Sequence, residues 1–172
     1  MTQAAKVKVV TGKVRFSYAN VFTPKASVEG GAPKYSVSII IPKSDKETIA
    51  KLQKAFEDTK AGAAAYFGGT VPKGLKGGLR DGDEEKDDPA YANSYFINAN
   101  SAQKPGVVDA DLNPILDQSE FYSGCYGRAS ITFYPYNAQG SKGIACGLNN
   151  VQKLEDGEKL GGATSAAADF AV

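Results

Sequence analysis

Three features of this 172-residue sequence predict a mainly β chain, a small barrel with one inserted helix. Several short stretches alternate apolar and polar side chains with period two. Gly- and Pro-rich turns separate them. Only one stretch, about residues 45–65, repeats its apolar residues at the spacing of a helix.

The first stretch, VKVVTGKVRFSY (7–18), puts Val10, Gly12, Val14 and Phe16 on one face and Thr11, Lys13 and Arg15 on the other. TPKASVEGGAP (23–33) reads as a loop with a Gly-Gly turn. KYSVSIIIP (34–42) is a second strand, with Tyr35, Val37, Ile39 and Ile41 on one side and Pro42 marking its end. The helix follows, with Ser44 as N-cap and Glu47 completing a capping box. Its apolar stripe is Ile49, Leu52, Ala55, Phe56 and Thr59, and Gly68-Gly69 closes it. Residues 68–93 form a long irregular segment, of the length that is usually functional or mobile. SYFINANS (94–101) is a strand, and KPGVVDADLNP continues with a strand and a turn. Two last strands follow, FYSGCYGRASITFYPYN (121–137) and KGIACGLNNVQKL (142–154), joined by the turn NAQGS. From Glu155 the chain turns to Gly, Ala and Ser, a composition of disorder. One helix among five or more strands matches an OB-fold-like five-stranded Greek-key barrel. Other small barrels and sandwiches share the count. The expected division is a domain over 1–154 and a flexible acidic, Ala-rich tail over 155–172.

Composition narrows the function. The chain is 42% hydrophobic and 23% charged, the profile of one globular domain. It has no apolar run of the roughly 18 residues a membrane helix needs. MTQAAKVKVVTGKV has no apolar leader core, which points to the cytoplasm. The absence of histidine excludes His-based triads, His-liganded zinc and imidazole acid–base catalysis. Cys125 and Cys146 show no metal-ligand spacing and read as two reduced thiols. The net charge of +1 conceals an asymmetry: residues 1–80 hold 14 Lys/Arg against 5 Asp/Glu, and residues 81–172 hold 6 against 14. A basic half joined to an acidic half indicates a polyanion partner and a device that competes with it.

The segment 121–137 carries the most chemistry. Gly127, Ala129, Ile131 and Phe133 form a core face, while Tyr126, Arg128, Ser130, Thr132, Tyr134 and Tyr136 point the other way. Tyrosines beside a guanidinium on an open sheet suit single-stranded nucleic acid, because every base offers a π-face and stacking contributes about 1–3 kcal/mol per base. Basic side chains neutralise the phosphates between stacked bases. A cross-strand aromatic ladder, or a second core face under the helix, has the same pattern. Lys13 and Arg15 repeat the basic character on the first strand, and Lys34 heads the second. GGTVPKGLKGG lacks GxxxxGK[ST] and is no P-loop. Its Lys73 and Lys76, with Arg80 beyond, either follow a phosphate chain or keep a loop soluble. The run DGDEEKDD (81–88) fails the calcium-loop pattern because its glycine is second rather than sixth. A contiguous run also lacks the converging carboxylates of a two-metal nuclease.

Long stretches in order, VRFSYANVFTPKA, YSVSIIIPKSDKET, LRDGDEEKDDPAYANSYFINANSAQKPGVVDADLNPI and YSGCYGRASITFYPYNAQGSKGIACGLNNVQKL, resemble a phage-encoded single-stranded DNA-binding protein family, long catalogued as a domain of unknown function. The resemblance covers about residues 7–155. It implies an OB-fold that coats single-stranded DNA during phage replication or recombination in the infected host's cytoplasm, with no enzymatic activity. Such proteins often end in an acidic tail tipped by an aromatic, which implies phage or host replication proteins as partners. Here Phe170 is followed by Ala171 and Val172, and the acids Glu155, Asp156, Glu158 and Asp169 are not clustered, a departure from that pattern.

The expected contacts, from the residues themselves, are base stacking by Tyr126, Tyr134 and Tyr136, and phosphate neutralisation by Lys13, Arg15, Lys34, Lys73, Lys76, Arg80 and Arg128. No catalytic residue, metal, cofactor or membrane is expected, and a homodimer is left open. The rival readings are a metal-dependent nuclease using Asp81, Asp83, Glu84 and Asp87, and a virion structural protein whose strand aromatics are packing residues.

Overall fold

A computed structural model describes residues 6–25, 32–75, 77–138 and 141–160. Eight strands run in chain order: β1 (Val7–Val10), β2 (Val14–Lys25), β3 (Lys34–Pro42), β4 (Arg80–Asp81), β5 (Ser94–Ser101), β6 (Gly106–Val108), β7 (Tyr126–Ala138) and β8 (Ser141–Glu155). Helix α1 (Lys46–Ala61) lies between β3 and β4, and a single turn, α2 (Gly82–Glu85), follows β4. The barrel closes in the order β2–β3–β5–β8–β7–β2, with every pairing antiparallel except β5–β8. The last two barrel strands are thus exchanged in space relative to their sequence order, as in the Greek-key barrel of an OB-fold. β1 adds to the outer edge of β7, β4 pairs with β5, and β6 runs parallel to β8 beyond β5.

Alternation fills the barrel as expected. Val14, Phe16, Val37, Ile39, Ile41, Ile97, Ala99, Ala129, Ile131, Phe133 and Val151 point inward and are buried. α1 lays Leu52 and Ala55 on this core, and Phe56 meets Phe133 edge-on, ring centres 5.9 Å apart. Close approach at the helix start needs a glycine: a Cβ on Gly12 would stand 2.8 Å from the Thr48 hydroxyl, which accepts the Gly12 N–H at 3.1 Å.

Several expectations are revised. Asp45, not Ser44, caps α1, its carboxylate accepting the Thr48 N–H at 3.1 Å, because a turn from Pro42 to Asp45 delays the helix by one residue. The helix ends at Ala61, and residues 62–68 continue as turns. In the first stretch the alternation breaks at Thr11–Lys13. Val9 rather than Val10 enters the core, and Thr11 is fully buried because it bonds Ala129 through both its backbone and its hydroxyl. The 68–93 segment is not wholly irregular. It contributes β4, α2 and a 3-10 turn at Pro89–Tyr91, and it buries Tyr91 completely against Ile40 and Phe96 on the outside of the barrel. The chain does not leave the domain at residue 155. β8 runs through Glu155, and residues 156–160 stay on the barrel, with Leu160 N–H donating to Ser123 O at 2.9 Å and the Tyr122 hydroxyl donating to Asp156 at 2.9 Å. The rest of the expected tail lies outside the described residues.

Candidate nucleic-acid interface

The registers line up one row of outward-facing residues across six strands. Asn20 on β2 pairs with Ser36 on β3, Ser36 with Asn100 on β5, Asn100 with Gly147 on β8, Gly147 with Thr132 on β7, and Thr132 with Lys8 on β1. Each is polar or glycine, and none is fully buried. Two and four residues beyond Thr132 on β7, Tyr134 and Tyr136 lie across from Ala145 and Gly143 of β8. These small partners leave the rings room to lie along the sheet: a Cβ on Gly147 would come within 3.3 Å of the Tyr134 ring.

Positive charge gathers on both sides of this row. On the tyrosine side Lys142 pairs with Asn137; on the other side Lys25 and Lys34 face each other across β2–β3, and Lys104 lies 5.2 Å from the Phe22 ring centre. Among the described residues Lys6, Lys8, Lys25, Lys34, Lys104 and Lys142 make no ion pair. Like charges set directly opposite each other destabilise a sheet, and an anion between Lys25 and Lys34 would relieve that repulsion. The strand segments on the two sides of the row, FTPK, KY and SAQK on one and YPYN and KGIAC on the other, contain no acid.

The ten expected contact residues therefore separate. Tyr134 and Tyr136 lie together on one side of the row, and Lys34 lies on the other. Tyr126 is at the other end of β7, ten residues or roughly 33 Å from Tyr136 at about 3.3 Å per residue. There it is boxed in. Lys13 and Arg15 lie over its ring at 5.4 and 5.3 Å, Lys13 pairs with Glu155, and Arg15 donates to Gly124 O at 3.1 Å and to Glu158 O at 2.7 Å. Arg128, exposed near the start of β7, donates to Thr11 O at 2.9 Å. Arg80 is held by Glu85 at 2.6 Å and lies over Phe96. Lys73 is exposed on a turn, and Lys76 lies outside the described residues. Lys8, Lys25 and Lys142 escaped sequence reasoning. The expected parity grouped Lys8 with Val10 on the core face; because Val9 enters the core instead, Lys8 is exposed, and strand pairing sets it beside Thr132.

The acidic run has structural work. Lys43 sits between Asp81 and Asp83, 2.9 Å from each, and Asp83 also accepts the Asn93 N–H at 2.9 Å. The Lys43 bond, then the Asn93 bond, holds the Asp83 carboxyl below its ordinary range, and the two carboxylates push Lys43 above its own. Asp81 caps α2 and Asp88 caps the 3-10 turn. Among the described residues no three carboxylate or thiol groups converge as metal ligands would. Both cysteines are buried, and burial pushes the Cys146 thiol up to about 12. Cys146 pairs with Phe133, eight residues along the chain from Cys125, so the thiols are far beyond disulfide reach. No helix among the described residues is long and apolar enough to cross a membrane.

Comparison with known proteins gives one family match, to the model described as "Enterobacter phage Enc34, ssDNA-binding protein", over residues 7–172. A protein of Acyrthosiphon pisum secondary endosymbiont phage 1, described as putative protein p50, is 28% identical, the match covering 95% of this chain and 92% of that one. The structure is similar to the single-stranded DNA-binding protein of bacteriophage Enc34 in complex with ssDNA, with TM-score 0.70 and 25% identity over 92% of this chain and 91% of that one. The single-stranded DNA-binding protein encoded by bacteriophage T7 shares the fold, with TM-score 0.64 and 17% identity over 98% of this chain and 96% of that one.

Proposed function

Because the chain belongs to the family of the Enterobacter phage Enc34 ssDNA-binding protein, we propose that the polar row and its tyrosine–lysine rim are the track on which it holds single-stranded DNA. It is a phage-type single-stranded DNA-binding protein and not an enzyme. The observation that supports this placement is that the polar row is flanked by Tyr134, Tyr136 and Lys142 on one side and by Lys25 and Lys34 on the other, on strand segments that carry no acid. Unpaired bases stack on Tyr134, whose ring lies by Gly147, and on Tyr136, across from Gly143. Lys8, Lys25, Lys34 and Lys142 take the phosphates. The amides and hydroxyls of Asn20, Ser36, Asn100 and Thr132 hydrogen-bond sugar, phosphate or base edges without fixing a sequence. A duplex keeps its bases stacked inside and offers only phosphates, so it gains nothing from the tyrosines.

Coating of this kind protects strands exposed in phage replication or recombination in the host cytoplasm. Phage or host replication proteins acting on the same strand are the natural partners. The test is a titration of a fluorescent oligo-dT and of a duplex of equal length at one salt concentration. Tighter binding of the single strand is expected. Equal affinities would remove the stacking component.

A further inference from the structure

β2 carries a tyrosine that no strand pattern marks as a contact residue. Ser17 pairs with Ser38 and Asn20 with Ser36, so three steps along β2 face two along β3, and the extra residue makes a bulge. At this bulge Tyr18 takes a left-handed conformation, φ 47°, which a bulky L-residue rarely adopts. Its side chain stands 60% exposed. The bulge is pinned: Ala19 N–H donates to the Ser123 hydroxyl at 3.0 Å, and the Asn20 amide donates to Tyr18 O at 3.1 Å. A backbone held in an unfavoured conformation to keep an aromatic ring in water contributes nothing to the core. Such positions gather at functional sites.

We propose that Tyr18 is a separate subsite for an unpaired nucleobase, an inference that rests on the single-strand track described above. The ring borders a cleft of about 210 Å³ whose lining includes Ser17, Asn20, Lys25, Asp88 and Leu160. Asn20 is the β2 end of the polar row, so a strand following that row arrives beside Tyr18. Lys25 stands ready for the phosphate of the arriving nucleotide, and Lys86 lies 5.5 Å from the Tyr18 ring centre. Asp88, whose carboxylate accepts the Ala90 N–H at 2.9 Å, is also on the cleft wall. A carboxylate there repels phosphate and tolerates a neutral base, so the ring receives the base and the lysines receive the backbone.

Tyr18→Gly and Tyr18→Phe separate this role from a structural one. Glycine accepts the positive φ freely, so Tyr18→Gly should melt no lower than the wild type while losing about 5- to 150-fold in oligo-dT affinity. Tyr18→Phe keeps the π-face and should bind like the wild type. Photocrosslinking of the wild-type protein to a 5-iododeoxyuridine oligonucleotide should yield an adduct in the peptide containing Tyr18. Wild-type affinity in Tyr18→Gly, or crosslinks that skip that peptide, would overturn the subsite. Failure of the wild type to bind the oligonucleotide at all would instead overturn the track on which it rests.

Discussion

Phe133 and Tyr134 are neighbours on β7 with opposite surroundings. Phe133 is 1% exposed and packs on Phe56, whereas Tyr134 is half-buried on the outer face over Gly147. Phe133→Ala should therefore destabilise the fold by about 3–5 kcal/mol in chemical denaturation. Tyr134→Ala should leave the melting temperature near its original value and weaken oligo-dT binding by about 1–3 kcal/mol. A Tyr134→Ala protein that melts early and binds normally would mean the ring is packing material, as in a virion structural protein. This division was legible in the sequence because period-two alternation is local, and β7 keeps it from Tyr126 to Tyr136. Which tyrosines are free was not legible. Tyr126 shares the parity of Tyr134, but Lys13, Arg15 and the chain after Glu155 close over it.

At the scale of elements, local signals placed two strands to the residue. The strands expected over 34–42 and 94–101 are β3 and β5 with the same bounds, set by alternation and by Pro42. The helix start shifted by one residue because Asp45 competes with Ser44 for the cap, and only the preceding turn decides between them. Asp45→Ala should cost about 1 kcal/mol of stability, while Ser44→Ala should be near neutral, both read from denaturant midpoints. The acidic segment was the least legible. Its fold depends on partners far along the chain: the Tyr91 hydroxyl bonds the Ser38 hydroxyl at 2.9 Å, and Lys43 binds Asp81 and Asp83. No window of sequence contains those contacts. They turn a run that resembles a solvated loop or a metal site into a clasp on the outside of β3 and β5.

Across the whole molecule, the charge asymmetry of the sequence maps only partly onto the proposed track. Part of the basic half is already paired, Lys13 with Glu155, Lys43 with Asp81 and Asp83, and Arg80 with Glu85. The lysines left without ion pairs come from both halves and are assembled by strand order, which the sequence does not display. The chain after Glu155 holds Arg15 through Glu158 O, and Asp156 pairs with Lys153. We propose that this segment, with Asp169 beyond it, competes with DNA for basic groups. Deleting residues 156–172 should tighten oligo-dT binding modestly at low salt, with the gain fading as salt rises. Equal or weaker binding at low salt would rule out that competition.

The placement of the track is tested most directly by the salt dependence of oligo-dT affinity in three proteins: wild type, Lys8→Ala/Lys34→Ala/Lys142→Ala, and Lys13→Ala/Arg15→Ala. Each phosphate contact on a single strand contributes about −0.7 to the log–log slope, so five contacts give roughly −3.5 for the wild type. Removing the three rim lysines should flatten the slope by about 2, while removing the pair boxed around Tyr126 should leave it unchanged. A slope flattened by the Lys13/Arg15 change and untouched by the rim change would place the DNA at the opposite end of β7 and contradict the track.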